Sequence, residues 1–190
     1  MINRPTFRAA AWMISAAVLL GVSTVHAQHN PNAPRKQMIA VKVNSPSPHL
    51  DGRLDDPAWM SASWISDFGQ KEPVENGVPS VKTEVAIVWD DDAVFVGARM
   101  HCEHPESLGM YLDRHDNQGP AEQFIVSFDS YHDHRTAYGF GVNTAGVRFD
   151  RYVMSDNESD RDYSFNPVWE AKTARDSTGW TCEMRIPFSQ

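Results

Sequence analysis

The chain has 190 residues, a formal net charge of −8, 41% hydrophobic residues and two cysteines. This length suits one domain with a hydrophobic core, and two cysteines are too few for a disulfide-rich scaffold. An acidic chain without a basic run argues against binding to nucleic acid or to an anionic membrane surface.

The first 27 residues have the composition of a secretory signal peptide. Arg4 and Arg8 precede an apolar run over residues 9–22, and the stretch ends in VHA, with a small residue at the expected cleavage site. The apolar run is short for a membrane-spanning helix. We therefore predict a signal-peptide helix over residues 1–27 and export of the remaining 163 residues, whose net charge is −10 because both arginines are lost.

Residues 28–38 are polar and contain prolines, and we predict that they form a flexible spacer. The stretch that follows soon after, HLDGRLDDPAWMSA, contains three carboxylates within six residues. Such carboxylates could form a catalytic or metal-binding cluster. Turn chemistry is the favoured interpretation, because Asp-Gly is a strong turn dipeptide and an aspartate before proline can cap a helix. The predicted structural motif consists of Asp51, Gly52, Asp55, Asp56, Pro57 and Trp59.

Alternating apolar and polar residues predict β-strands along most of the remaining chain. The strands are separated by predicted turns near residues 90–92, 131–134, 143–146 and 176–179. Helix signals are confined to residues 55–62 and 105–112. Many short strands at hairpin spacing predict an all-β fold, an antiparallel β-sandwich with one or two short helices, over residues 39–190.

The two cysteines both lie in strand-like runs, on the side shared with apolar residues. In an oxidising compartment, Cys102 and Cys182 could form a disulfide bond. Two buried free thiols explain the same pattern. The sequence leaves both alternatives open.

Five segments in order carry a resemblance to a known family: DGRLDDPAW, KTEVAIVWDDDAVFVGARM, VSFDSYHDHRTAYGFGVNTAGVRFD, VWEAKT and GWTCEMRIPFSQ. Together they resemble the family 9 carbohydrate-binding modules over about residues 40–190, and most closely the subgroup at the amino terminus of exported bacterial proteins. The remainder of those proteins resembles an outer-membrane barrel. The resemblance implies a β-sandwich, a polysaccharide or oligosaccharide ligand, and a periplasmic, outer-membrane-associated or secreted location. The chain stops at Gln190, directly after a predicted core strand, so we expect it to be an amino-terminal piece that lacks a carboxy-terminal barrel partner.

Family members that bind sugar well hold it between two tryptophans, with polar side chains on its hydroxyl groups. The resemblance places one of these tryptophans near Gly119-Pro120, a key glutamate near Ile125 and an arginine near Gly141, whereas Asn143 is retained. These replacements give the alternative hypothesis that the domain has lost the sugar clamp. It would then be a structural or interaction domain of an envelope protein.

Other side chains are candidates for sugar binding. Trp89 and Trp169 adjoin acidic residues and are candidate stacking platforms, whereas Trp180 follows a core-like pattern. Asn143 and Arg99 are candidate partners for sugar hydroxyl groups. Arg99 fits an ion pair between strands as well.

Calcium is the cofactor that the resemblance implies. The segment SDNESDRDY is rich in carboxylates, although Arg161 and Pro167 stand where an EF-hand loop requires glycine and glutamate. The candidate metal ligands are Asp156, Glu158, Asp160 and Asp162.

The sequence lacks the GxSxG, HExxH and P-loop motifs, so we predict no catalytic activity in this chain. Hydrolysis of O-glycosyl bonds is associated with the family because its modules accompany glycoside hydrolases. A metal-dependent enzyme would require convergence of His101, His104, His132 or His134. The leading functional prediction is an exported, non-catalytic domain that assists polysaccharide binding and catabolism.

Overall fold

The computed structural model describes residues 36–44, 46–117, 119–155, 157 and 160–190. The predicted signal peptide and most of the predicted spacer lie outside these residues. Within the described ranges, no helix has both the length and the apolar character needed to cross a membrane.

The described chain forms two β-sheets. The strands are β1 Val41–Lys42, β2 Thr83–Trp89, β3 Ala93–His101, β4 Gln123–Phe128, β5 Ala137–Asn143, β6 Arg148–Val153, β7 Arg161–Asp162, β8 Glu170–Asp176 and β9 Gly179–Pro187. One sheet has the order β1-β2-β3-β9-β8 and the other the order β4-β5-β6-β7. Neighbouring strands are antiparallel except for β1 and β2, which are parallel. The predicted all-β sandwich is confirmed.

Both helical segments are shorter than predicted. The helix α1 spans Pro57–Met60, and a single 3-10 turn spans Pro105–Ser107. Asp56 stands at the predicted cap position, but its carboxylate accepts a hydrogen bond from the His49 N–H at 2.9 Å instead of capping the helix. The second segment stops because Leu108 takes an extended conformation and is buried in the core.

Alternate side chains of the two sheets meet in one hydrophobic core. Its buried members from the five-stranded sheet include Val85, Val96, Ala98, Trp180, Cys182 and Met184. Phe140 and Val142 of β5 face them from the other sheet. Cys102 and Cys182 are both free thiols, so the disulfide alternative is not realised in the structure.

The segment over residues 50–62, which we call the amino-terminal segment, packs on the outer face of the five-stranded sheet. Trp59 is only 2% exposed and packs against Val88 and Phe95 in a second hydrophobic cluster. Gly97 of β3 lies beneath this ring, since a Cβ atom there would approach Trp59 Cζ3 to 3.0 Å. The short helix is therefore held by the packing of its tryptophan, because four residues are too few for a helix to be stable alone.

The segment is also tied down by a buried carboxylate of β9. Glu183 is fully buried, and its Oε2 accepts hydrogen bonds from the Asp51 and Gly52 N–H groups at 2.9 and 2.8 Å. Its Oε1 accepts a 2.7 Å bond from the indole N–H of Trp59. Gly52 has φ of 90°, and a Cβ atom there would come within 2.5 Å of the Thr173 backbone. The residues of the DGRLDDPAW motif thus stabilise the fold, through the packing of Trp59 and the hydrogen bonds to Glu183.

Candidate functional site

The outer face of the four-stranded sheet, which we call the family face, collects the positions that the resemblance assigns to sugar binding. Ile125 of β4 pairs with Gly141 of β5, and Gly141 pairs in turn with Phe149 of β6. A Cβ atom at Gly141 would lie 2.2 Å from the Phe149 ring, and Phe149 is buried. A phenylalanine ring therefore fills the space above the position that the resemblance assigns to an arginine.

Asn143 lies at the end of β5 on the same face, but it is buried. Its Oδ1 accepts hydrogen bonds from the Ala145 and Val147 N–H groups at 2.9 and 3.0 Å. Its Nδ2 donates to the Tyr111 carbonyl oxygen at 3.0 Å. These bonds order the turn between β5 and β6, so the side chain stabilises the fold and does not face a ligand.

A polar cleft of about 900 Å³ continues along the family face. Charged residues that line it include Lys71, Glu72, Asp129, Arg135, Arg151 and Arg161. Asp129 orders the neighbouring loop by accepting hydrogen bonds from the Asp133 and His134 N–H groups at 3.1 and 2.8 Å. No phenylalanine, tyrosine or tryptophan lines the cleft among the described residues. This surface can hydrogen-bond hydroxyl or charged groups, but it lacks a ring for stacking on a sugar.

Arg99 lies on the other sheet, at a second and smaller pocket of about 290 Å³. We call this the tryptophan pocket; it is lined by Leu54, Trp59, Met60, Trp64, Glu84 and Arg99. Arg99 Nη1 donates to Asp176 Oδ2 at 2.8 Å, which gives the ion pair between strands that the sequence left as an alternative. Trp64 is one of the five tryptophans after the predicted signal peptide, but its sequence context gave it no assigned role, because it follows the short helix in a segment without strand alternation.

The two predicted tryptophan platforms have different environments. Trp169 is 1% exposed, its ring packs edge-on against Phe140 at 5.4 Å, and its indole N–H donates to Asp150. The proposal of an exposed platform at Trp169 is therefore wrong, because inter-sheet packing takes the ring into the core. Trp89 is half-buried at the end of β2, and Lys42 Nζ lies 5.0 Å from its ring centroid. This lysine already covers the Trp89 ring in a cation–π contact.

A buried carboxylate forms a small cluster that the sequence did not suggest. Asp150 is fully buried, and its Oδ1 accepts the 2.9 Å bond from Trp169 and lies 3.2 Å from His115 Nε2. The other imidazole nitrogen, Nδ1, lies 2.9 Å from Asp116 Oδ2. Burial raises the pKa of Asp150, and within the described part of the chain its Oδ2 has no hydrogen-bond partner. The cluster offers three potential metal-ligand atoms within 4.8 Å of one another.

The structure describes two of the four predicted calcium ligands, Asp160 and Asp162. Asp156 and Glu158 lie outside the described residues. Asp160 Oδ2 accepts a 3.0 Å hydrogen bond from Ser155, and Asp162 accepts one of 2.8 Å from the Ser164 N–H. Hydrogen bonds from Ser164 lower the pKa of Asp162, so this carboxylate is ionised at neutral pH.

The histidines that the sequence offered for a transition metal are divided between separate places. His101 Nε2 lies 2.8 Å from Glu84 Oε2, and His104 Nδ1 lies 3.3 Å from Glu106 Oε1. The rings of His132 and His134 are 4.7 Å apart. In the ranges that the structure describes, none of the four joins a cluster of three potential ligands.

Comparisons with known proteins agree with this architecture. The family profile described as "Carbohydrate family 9 binding domain-like" matches residues 50–190. A family 9 carbohydrate binding module from Caldicellulosiruptor kristjanssonii, solved with cellotriose, has 19% identity and a TM-score of 0.56, covering 81% of this chain and 69% of that chain. The same type of module solved with glucose has 19% identity and a TM-score of 0.53, covering 80% and 70%. At this identity the likeness shows the fold alone. Curated protein sequences give no match.

Proposed function

The chain belongs to the carbohydrate family 9 binding domain-like family through residues 50–190, and from this we propose that it is a carbohydrate-binding domain that assists polysaccharide binding and breakdown. The family match along nearly all of the described domain carries the proposal. Support comes from the shared sandwich fold and from solved modules of this fold that hold cellotriose and glucose. Catalysis is left to other proteins or domains.

The altered family face limits how a sugar could be held there. The Ile125 side chain has no hydrogen-bonding group, and the Phe149 ring covers Gly141. The adjoining polar cleft still offers charged and hydroxyl-bearing side chains, such as Arg135 and Ser127. Saccharide binding at this face would therefore depend on hydrogen bonds, without the two stacked tryptophans that the resemblance implies.

Affinity electrophoresis of the chain from residue 28 onward tests the proposal. We expect at least one polysaccharide from a panel of plant and bacterial glycans to slow its migration relative to a gel without glycan. A glycan array provides an independent measurement. If no glycan gives retardation or array signal while circular dichroism shows a folded β protein, carbohydrate binding is refuted.

That outcome would favour the second candidate function, a structural or interaction domain of an envelope protein that has lost the sugar clamp. The filled space between Gly141 and Phe149 is the observation that favours it. We propose export for either function, with the domain presented in the periplasm, at the outer membrane or in the medium as part of a larger envelope protein. Amino-terminal sequencing of the exported protein should begin at Gln28. An intact Met1 in the exported fraction would contradict the predicted cleavage.

We also propose that the domain binds a structural calcium ion in the acidic segment 156–162. Carboxylate oxygens are the ligands that calcium prefers, and Asp162 is ionised at neutral pH. Removing calcium with a chelator should lower the melting temperature, and added calcium should restore it. In the Asp162→Asn variant the shift should be lost, whereas Asp150→Asn should retain it. The reverse pattern would indicate that the ion binds at the cluster around Asp150, whose Oδ2 has no hydrogen-bond partner in the described structure.

A further inference from the structure

We infer that the tryptophan pocket binds a single neutral hexopyranose unit, at a site separate from the family face. This inference rests on the proposed carbohydrate-binding function and names a second location for it. The pocket combines a fixed aromatic ring with two polar side chains of opposite charge, a combination that the polar cleft lacks.

Trp64 supplies the stacking surface. It is 36% exposed, and its indole N–H donates to the Trp59 carbonyl oxygen at 3.0 Å. The two indole rings are 6.2 Å apart, so Trp64 leans on a neighbour that is itself fixed in the core. The C–H groups of a pyranose ring pack on such a surface, and a ring held in place beforehand loses little conformational entropy on binding.

Glu84 and Arg99 supply the polar contacts. They are paired neighbours on β2 and β3, both on the outer side of the five-stranded sheet. Glu84 is held by Lys82 at 2.6 Å and by His101 at 2.8 Å. The hydrogen bond from His101, followed by that from Lys82, lowers the pKa of Glu84, so it remains an ionised acceptor for a sugar hydroxyl.

Arg99 is equally well fixed, through Nη1 bonds to Asp176 at 2.8 Å and to Thr178 Oγ1 at 2.9 Å. Its Nη2 and Nε atoms make no hydrogen bond to any residue in the described ranges, which leaves donors for hydroxyl oxygens. An arginine and a glutamate with opposite charges favour a sugar without net charge. A uronic acid or an amino sugar would be attracted by one of these side chains and repelled by the other, and it would also lose hydration of its own charge on entering the pocket.

The volume of about 290 Å³ decides how much of a glycan can enter. It lies just below the range of roughly 300–1,000 Å³ that is typical of sites for drug-sized ligands. One sugar ring fits such a space, whereas an extended oligosaccharide does not. Met60, which is 82% exposed, borders the pocket and leaves it open to solvent.

Titration with neutral methyl hexosides tests the inference, with methyl glucoside, methyl galactoside and methyl mannoside as the probes. Isothermal calorimetry should show binding of at least one of them, and the methyl hexuronide of the same sugar, which carries a carboxylate at C6, should bind at least tenfold more weakly. Trp64→Ala and Glu84→Gln should each weaken binding at least tenfold. The matched control is Phe188→Ala, which removes an exposed aromatic ring from another part of the surface and should leave the affinity unchanged.

A second measurement keeps the inference testable if the Trp64→Ala variant does not fold. In the wild-type protein, the NMR signal of the Trp64 indole N–H should shift on addition of the methyl hexoside that binds. If every neutral hexoside leaves this signal in place, or if the folded Trp64→Ala variant binds as tightly as wild type, the inference is wrong. Retention of polysaccharide binding in that case would leave the proposed function intact, whereas loss of all glycan binding by the wild-type protein refutes both.

Discussion

Glu183 shows what a single residue does for this fold. Its buried carboxylate accepts two backbone N–H groups and one indole N–H from a segment about 130 residues earlier in the sequence. The cluster of acids around Asp51 therefore owes its position to an acid on β9. This contact explains why a stretch that resembles an acidic site has a structural role.

Replacing Glu183 by alanine should strongly destabilise the domain. The change leaves two buried donors, the Gly52 N–H and the Trp59 indole N–H, and the part-buried Asp51 N–H without a partner. Each unsatisfied buried donor costs about 1–3 kcal/mol. We expect a loss of about 3–5 kcal/mol in the free energy of unfolding, measured by urea denaturation. The control is Asp51→Asn. The Asp51 side chain accepts only an exposed 2.8 Å bond from the Arg53 N–H, so this variant should change stability by less than about 0.5 kcal/mol. Equal losses in the two variants would contradict this role.

The same residue predicts a pH dependence. Burial raises the pKa of Glu183 above its ordinary value of 4.5, although the bonds from Trp59, Gly52 and Asp51 oppose the shift. Because the folded pKa is raised, ionisation costs more in the folded state, and stability from this group falls as the pH rises above 4.5. The stability of wild type minus that of Glu183→Gln should therefore decrease with rising pH in urea titrations. A difference that stays flat or increases would contradict the shift.

At the scale of elements, β5 and β6 are fitted together at Gly141. The glycine leaves room for the Phe149 ring, which a Cβ atom would approach to 2.2 Å. At the next glycine on the same side, Gly139, a Cβ atom would approach Arg151 Cγ to 3.0 Å, a much milder overlap. The two positions therefore differ in how far the neighbouring side chain would have to move.

Gly141→Ala should cost about 1–3 kcal/mol in unfolding free energy, since it forces a packed ring to shift. Gly139→Ala is the matched control and should cost less, because the approach of 3.0 Å to Arg151 is relieved by a shift of a few tenths of an ångström. In a Phe149→Ala background, the cost of Gly141→Ala should fall, which a double-mutant cycle from urea denaturation would measure. Additive costs would show that the ring and the glycine are not coupled.

At the scale of the whole molecule, the cysteines are separated by the strand register. Cys182 lies opposite Ala98 of β3, four residues before Cys102. At roughly 3.3 Å per residue, this places Cys102 about 13 Å along the strand from Cys182, beyond the roughly 7 Å reach of a disulfide. The fold therefore forms without a bond between these two thiols.

A reducing agent should consequently leave the melting temperature unchanged. Alkylation in denaturant without reductant should modify two thiols per chain, as counted by mass spectrometry. Without denaturant, Cys182 should react slowly, because burial raises the pKa of its thiol. A chain that takes up label only after reduction would demonstrate a disulfide and contradict the register.

Much of the fold could be predicted because its signals are local. Alternation along β2 and β3 and the turn residues between them define a hairpin from neighbouring residues alone. The candidate site could be predicted less well, because its contacts join residues that are far apart in the sequence. Trp169 follows a strand-like pattern but is taken into the core by Phe140, and the contact between His115 and Asp150 joins residues 35 positions apart.

Period-two alternation and turn chemistry depend on residues a few positions apart, so the class of fold and the main turns could be predicted from the residue order alone. The family was predicted from the resemblance of five segments. Which tryptophans are exposed, which partners Glu183 has and what fills the space above Gly141 became known from the three-dimensional packing. Those features depend on how distant segments pack on the two faces of each sheet. Alternation along a strand predicts that its side chains point to two faces of the sheet. Which face is buried depends on the segments that pack against it. In this protein that covering buries Trp59 and leaves Trp64 at the edge of an open pocket.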